Sequence, residues 1–92
     1  MNICRAVKLR INRLLAEKDM TLYRLEQKSG ILHGTMMCIM GERNKNVTLK
    51  TIYQIARGFD MTFLDFLNDD IFFDEKLEID WEIIKVVEQI WI

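Results

Sequence analysis

From Ile3 the apolar residues recur as Ile3, Val7, Ile11 and Leu14, steps of four, four and three. This spacing predicts an amphipathic helix over residues 3 to 18 with Arg and Lys on its other face. Asp19 and Met20 lead into Thr21, which can cap a second helix with Leu22 and Leu25 inside. Ser29-Gly30 closes that helix, because glycine accepts the left-handed conformation that ends one. Three residues later Met36, Ile39 and Met40 restart the helical spacing, so two helices are joined by a turn tight enough to force a steep crossing. After the polar stretch 41 to 47, Thr48 caps a fourth helix with Leu49, Ile52, Ile55, Ala56 and Phe59 on a common side and Gly58 near its end. Thr62 caps a short fifth helix whose Phe63, Phe66 and Leu67 add bulk to the core.

The last block, 74 to 92, is apolar almost all round. Leu77, Trp81, Ile84, Val87 and Trp91 form one stripe, and Ile79, Ile83, Val86 and Ile90 form another. A helix of this kind needs cover on more than one side. Its β-branched content also admits a strand over 83 to 92. The pattern predicts an all-α fold: a five-helix domain over residues 1 to 68 and an acidic, apolar extension over 69 to 92. Either the extension wraps back on the first and fifth helices, or it pairs with its copy in a second chain. We expect the second, with Trp81, Ile84, Val87, Ile90 and Trp91 as dimerisation residues, because a small five-helix body has little groove to spare for two further stripes.

Ninety-two residues suffice for one core. Half the chain is apolar, proline is absent, and no apolar run approaches the length of a membrane span. With no signal-peptide pattern, the expected location is the cytoplasm. Cys4 and Cys38 lie far apart with no ligand cluster around them, so both read as free thiols and no metal site is implied. The net charge of -1 conceals a division: residues 1 to 67 carry +5 and residues 68 to 92 carry -6. The basic body suits a polyanion, from which the acidic tail must be held away.

At Thr21 to Met40 the stretch TLYRLEQKSGILHGTMMCIM, followed by GERNKNVTLKTIYQIARGFDMTFLDFL, resembles the Cro and phage-repressor type of helix-turn-helix, the XRE family. The resemblance spans roughly residues 7 to 67. Leu25, Gly30, Ile31, Met36 and Ile39 fall where that family has its buried apolar residues and its turn glycine, and the register continues through Met61-Thr62-Phe63. It implies a compact all-α domain that dimerises on operator DNA, with the second helix of the motif entering the major groove.

That docking would turn His33, Gly34, Thr35, Met37 and Cys38 toward the bases. None of Arg, Gln or Asn, which make the strong bidentate base contacts, occurs from Leu32 to Met40. Discrimination should be modest or carried partly by DNA shape. Phosphate contacts are better supplied: Arg43, Asn44, Lys45 and Asn46 follow the recognition helix, Thr48 and Lys50 begin the next one, and Thr21 and Tyr23 clamp the opposite side. The alternative for Arg43, Lys45 and Lys50 is a plain solvated surface.

Three departures from the family pattern stand out. Leu22 replaces a Gln that often bonds a phosphate. Glu26 stands where a small residue lets the two helices approach, so either the crossing widens or the carboxylate turns outward. Leu15 and Met40 occupy the places of a buried Arg and its Glu, and as apolar replacements they should pack together.

Other chemistry is sparse. His33 is the single histidine and reads as a surface residue rather than a ligand or base. Asp69, Asp70, Asp74 and Glu75 suit capping and solvation better than catalysis, and the six Met suit core filling. No nucleotide-binding, hydrolase or metalloprotease motif occurs, so no enzyme, cofactor or small-molecule ligand is implied. The expected function is a sequence-specific DNA-binding regulator, a repressor acting as a homodimer on double-stranded DNA. The alternative is a protein-interaction module, an antitoxin or anti-repressor that keeps the fold.

Overall fold

Five helices and one 3-10 turn follow one another along the computed structural model, which describes residues 2–43 and 46–73. They are α1 (Ile3–Glu17), α2 (Leu22–Ser29), α3 (His33–Met40), α4 (Leu49–Gly58), α5 (Phe63–Leu67) and the turn Asp70–Phe72. The all-α expectation holds among the described residues. The extension's two stripes, with Trp81, Ile84, Val87, Ile90 and Trp91, lie outside them, as do Asn44 and Lys45 of the basic loop.

Helix starts follow the side chains that can accept from a free backbone N–H. Thr21, Thr48 and Thr62 accept from the amides of Arg24, Thr51 and Asp65, and Asn2 does the same for Arg5. The exception is α3, whose N-cap is Leu32 and has no side-chain bond. Gly30 closes α2 with φ 73°. The left-handed positions that follow α1, α3 and α4 are taken instead by Asp19, Glu42 and Asp60. Two of these acids are held by cations: Glu42 by Lys8 and Arg5, and Asp60 by Lys28. The Lys28 hydrogen bond and charge keep the Asp60 carboxyl below its usual range.

Val7, Ile11, Leu14, Leu25, Ile31, Met36, Ile39, Ile52, Ile55, Phe59 and Phe66 close one core, with Cys4 and Ala56 filling gaps. Burial pushes the Cys4 thiol up, and Glu42 adds to the shift, so this cysteine is an inert packing group. Leu15 and Met40 both lie half-buried against the same core. In the closest-packed pairs α2 lies on α4, α3 on α1, and α4 on α5. The two helices of the motif are thus fixed by different parts of the body.

Two expectations are corrected. Leu49 is 71% exposed rather than inside, because the first turn of α4 runs past the packed body and carries Thr48, Leu49 and Lys50 into solvent together. The polar face of α1 also loses a member to the interior. Arg10 is buried: its Nε donates to the Phe66 carbonyl at 2.8 Å, Nη2 to the Asp65 carbonyl at 3.0 Å, and Nη1 to Asp69 Oδ2 at 3.0 Å. Its guanidinium also lies 5.8 Å from the Phe66 ring centroid. Asp69 in turn caps the 3-10 turn by accepting from the Ile71 amide and takes a second cation, Arg13. So α1 does bury an arginine, but its partner comes from the far end of the body. These contacts, with buried Ile71, carry the body past residue 68.

Candidate nucleic-acid interface

The turn between α2 and α3 is built by three neighbouring residues. Gly30 supplies the reversal, and Ser29, buried beneath it, uses its hydroxyl twice, donating to the Glu26 carbonyl and accepting from the Ile31 amide. Ile31 then enters the core and fixes where α3 begins. With Met36 and Ile39 pointing inward, the outer face of α3 is left to residues 33–35, 37 and 38. His33, Gly34 and Thr35 are exposed, whereas Met37 and Cys38 are half-buried, Met37 against the core. The five residues expected to face bases are therefore not equivalent: the first turn of α3 presents three of them freely, and the second turn shows only parts of two.

The expected phosphate ligands among the described residues are all exposed. Arg43 follows α3 directly and is exposed, its amide donating to the Cys38 carbonyl at 3.0 Å. Lys50 lines a cleft with Gly30, Ile31, Leu32, Thr35, Thr51 and Gln54, so an α4 cation and an α3 hydroxyl share one opening. Asn46 and Thr48 are exposed as well. The Thr48 hydroxyl is already shared with Thr51, accepting from its amide and bonding its hydroxyl at 2.9 Å, so backbone at the α4 start is freer to meet a phosphate than this side chain. Thr21 and Tyr23, at the start of α2, are both exposed. Leu32, an exposed apolar residue, lies within the lining of this cleft.

The two acids nearest α3 are engaged elsewhere. Glu42 turns to α1, 3.3 Å from Lys8 Nζ and 3.5 Å from Arg5 Nε. Glu26, whose side chain is 11% exposed, keeps its carboxylate 2.9 Å from His33 Nδ1. Of the two fates expected for Glu26, the free outward turn is not found: the carboxylate is folded onto the first residue of α3. Sequence reasoning missed these pairs. Arg10 lies on the flank of the Val7, Ile11 and Leu14 stripe, a spacing that does not by itself say whether it faces inward. The Glu26 and Glu42 pairs carried no signal, because each depends on where another helix ends.

Among the described residues no group of three or more His, Cys, Asp or Glu is placed to hold a metal ion, and no helix is long and apolar enough to cross a membrane. No curated protein and no solved structure matches the chain. A family model does match: the Cro/C1-type helix-turn-helix DNA-binding domain, over residues 10–70. That stretch holds the capped α2, the glycine turn, the exposed α3 and the two helices that support them, and the chain belongs to the Cro/C1-type helix-turn-helix family of DNA-binding regulators.

Proposed function

We propose that the chain is a transcriptional repressor that docks α3 in the major groove of an operator and acts by occluding it, as a homodimer. The observation that carries this reading is the composition of one surface. The outer first turn of α3 is exposed, Lys50 shares a cleft with Thr35, Arg43 follows the end of α3, and Glu26 and Glu42 are each paired with a side chain of the protein. His33, Gly34, Thr35, Met37 and Cys38 face the bases; Thr21, Tyr23, Arg43, Asn44, Lys45, Asn46, Thr48 and Lys50 serve the phosphates. Binding of a random duplex pool across a salt series tests it. Affinity should fall steeply with salt, and the Arg43, Lys45 and Lys50 triple alanine variant should show a slope shallower by about 0.9 for each phosphate contact removed.

A second reading has its own support. Leu64 is 77% and Phe73 69% exposed, and both rim a shallow groove with Asp65, Leu67 and Asn68 where the body gives way to the acidic extension. An apolar patch there favours a protein contact, either the second copy of a dimer or a different partner. A folded chain that binds no duplex at low salt would favour the antitoxin or anti-repressor reading over the repressor.

A further inference from the structure

The Glu26–His33 pair decides more than the position of a side chain. Glu26 Oε1 and Oε2 lie 2.9 and 3.2 Å from His33 Nδ1. An ionised carboxylate has no hydrogen to give, so the bond exists only with the proton on Nδ1. A neutral imidazole carries one N–H, and its location is set by the bond the other nitrogen makes. With Nδ1 protonated, Nε2 is left with a lone pair. His33 is the first residue of α3 and its side chain is 72% exposed, so Nε2 is the ring atom available to a ligand on this face.

We infer that Glu26 is a positioning residue that locks His33 in the Nδ1–H form, and that His33 therefore reads DNA as an acceptor, selecting a base amino group. In the major groove that group is N6 of adenine or N4 of cytosine, while guanine and thymine offer acceptors to which a bare Nε2 cannot bond. The inference rests on the docking proposed above and supplies what the composition of α3 lacks. The helix has no Arg, Gln or Asn, yet one of its few polar side chains arrives with its hydrogen-bonding sense fixed in advance. Preorganisation of this kind also spares the cost of ordering the ring on binding. The near-buried carboxylate explains why a Glu occupies a site of close helix approach: it spans from α2 to the uncapped start of α3.

Because His33 is the single histidine, its tautomer can be read alone by ¹⁵N–¹H correlation at pH 8. The expected spectrum has the proton on Nδ1, in contrast to the Nε2–H form that dominates in unconstrained histidine. Selection from a randomised duplex pool supplies the second readout. Wild type should favour A or C at one position by about three- to ten-fold, the worth of one hydrogen bond. His33→Ala should level that position and spare the others. Glu26→Ala should release the tautomer and lose the same preference, and Glu26→Gln, whose amide can either accept from Nδ1 or donate to it, should keep the contact while weakening the lock and the preference. An Nε2–H tautomer in wild type, or an unaltered base profile in a folded Glu26→Ala, overturns the inference while docking stands. Failure of the wild-type chain to bind any duplex removes the docking itself, and the inference with it.

Discussion

At Gly58 a single hydrogen keeps two helices together. A Cβ there would lie 2.9 Å from Leu25 Cδ1 and from Ser29 Cβ, and 3.2 Å from the Ser29 amide. Neither neighbour can give way, because Leu25 is fully buried and Ser29 is bonded on both sides of the turn. Alanine ordinarily strengthens a helix relative to glycine by about 1 kcal/mol. At this site Gly58→Ala should instead destabilise the fold by about 1 to 3 kcal/mol, the usual cost of overpacking, seen as a lower urea midpoint. Duplex affinity measured on the folded fraction should fall too, since the displaced Ser29 shapes the turn that aims α3. The sequence shows Gly58 only as a glycine near a helix end. Its contact partners are more than 28 residues away in places where no local pattern can point to them. By contrast Thr21, Thr48 and Thr62 were legible as caps, because a cap and its acceptor amide lie three residues apart.

Between elements the decisive contact is Arg10, which ties α1 to both ends of the segment Asp65–Asp69. The guanidinium and the Asp69 carboxylate are both largely withdrawn from water. Removing one member of such a pair leaves the rest without compensation. We expect Arg10→Met to lose about 3 kcal/mol in denaturant unfolding, within the range for broken buried pairs. Asp69→Asn should lose less, since Arg10 keeps both carbonyl acceptors, but it removes the charge and one of the two accepting oxygens that serve Arg10 on one side and Arg13 and the Ile71 amide on the other. Combining the two should cost less than the sum, as residues sharing one network do not add. The helices themselves were readable from apolar spacing, and so was the motif they form. What spacing alone does not assign is the sense of a residue on the flank of a stripe: Arg10 looks like surface until α5 arrives above it, and Leu49 looks like core until α4 proves to start beyond its neighbours.

For the whole molecule, the division of charge and the exposed Leu64 and Phe73 bear on assembly. Under the proposed dimer, deleting residues 80–92 should convert the species seen by light scattering to a monomer. It should weaken binding to a duplex with two half-sites about 34 Å apart without weakening binding to a single half-site. An unaltered mass would place the dimer contact on the body or exclude it. The acidic extension also opposes DNA by its sign, so its removal should raise affinity for a single half-site at low salt and have little effect at high salt.

The Arg10 network also bears on whether the reading head is portable. Grafted into another regulator as a unit ending at Leu67, it would arrive with Arg10 missing the Asp69 carboxylate and with Ile71 absent from the side of α1. Under the proposed docking, a swap of recognition specificity between such proteins is therefore better made by exchanging the outer residues of α3, together with Glu26, than by splicing at the apparent end of the last helix.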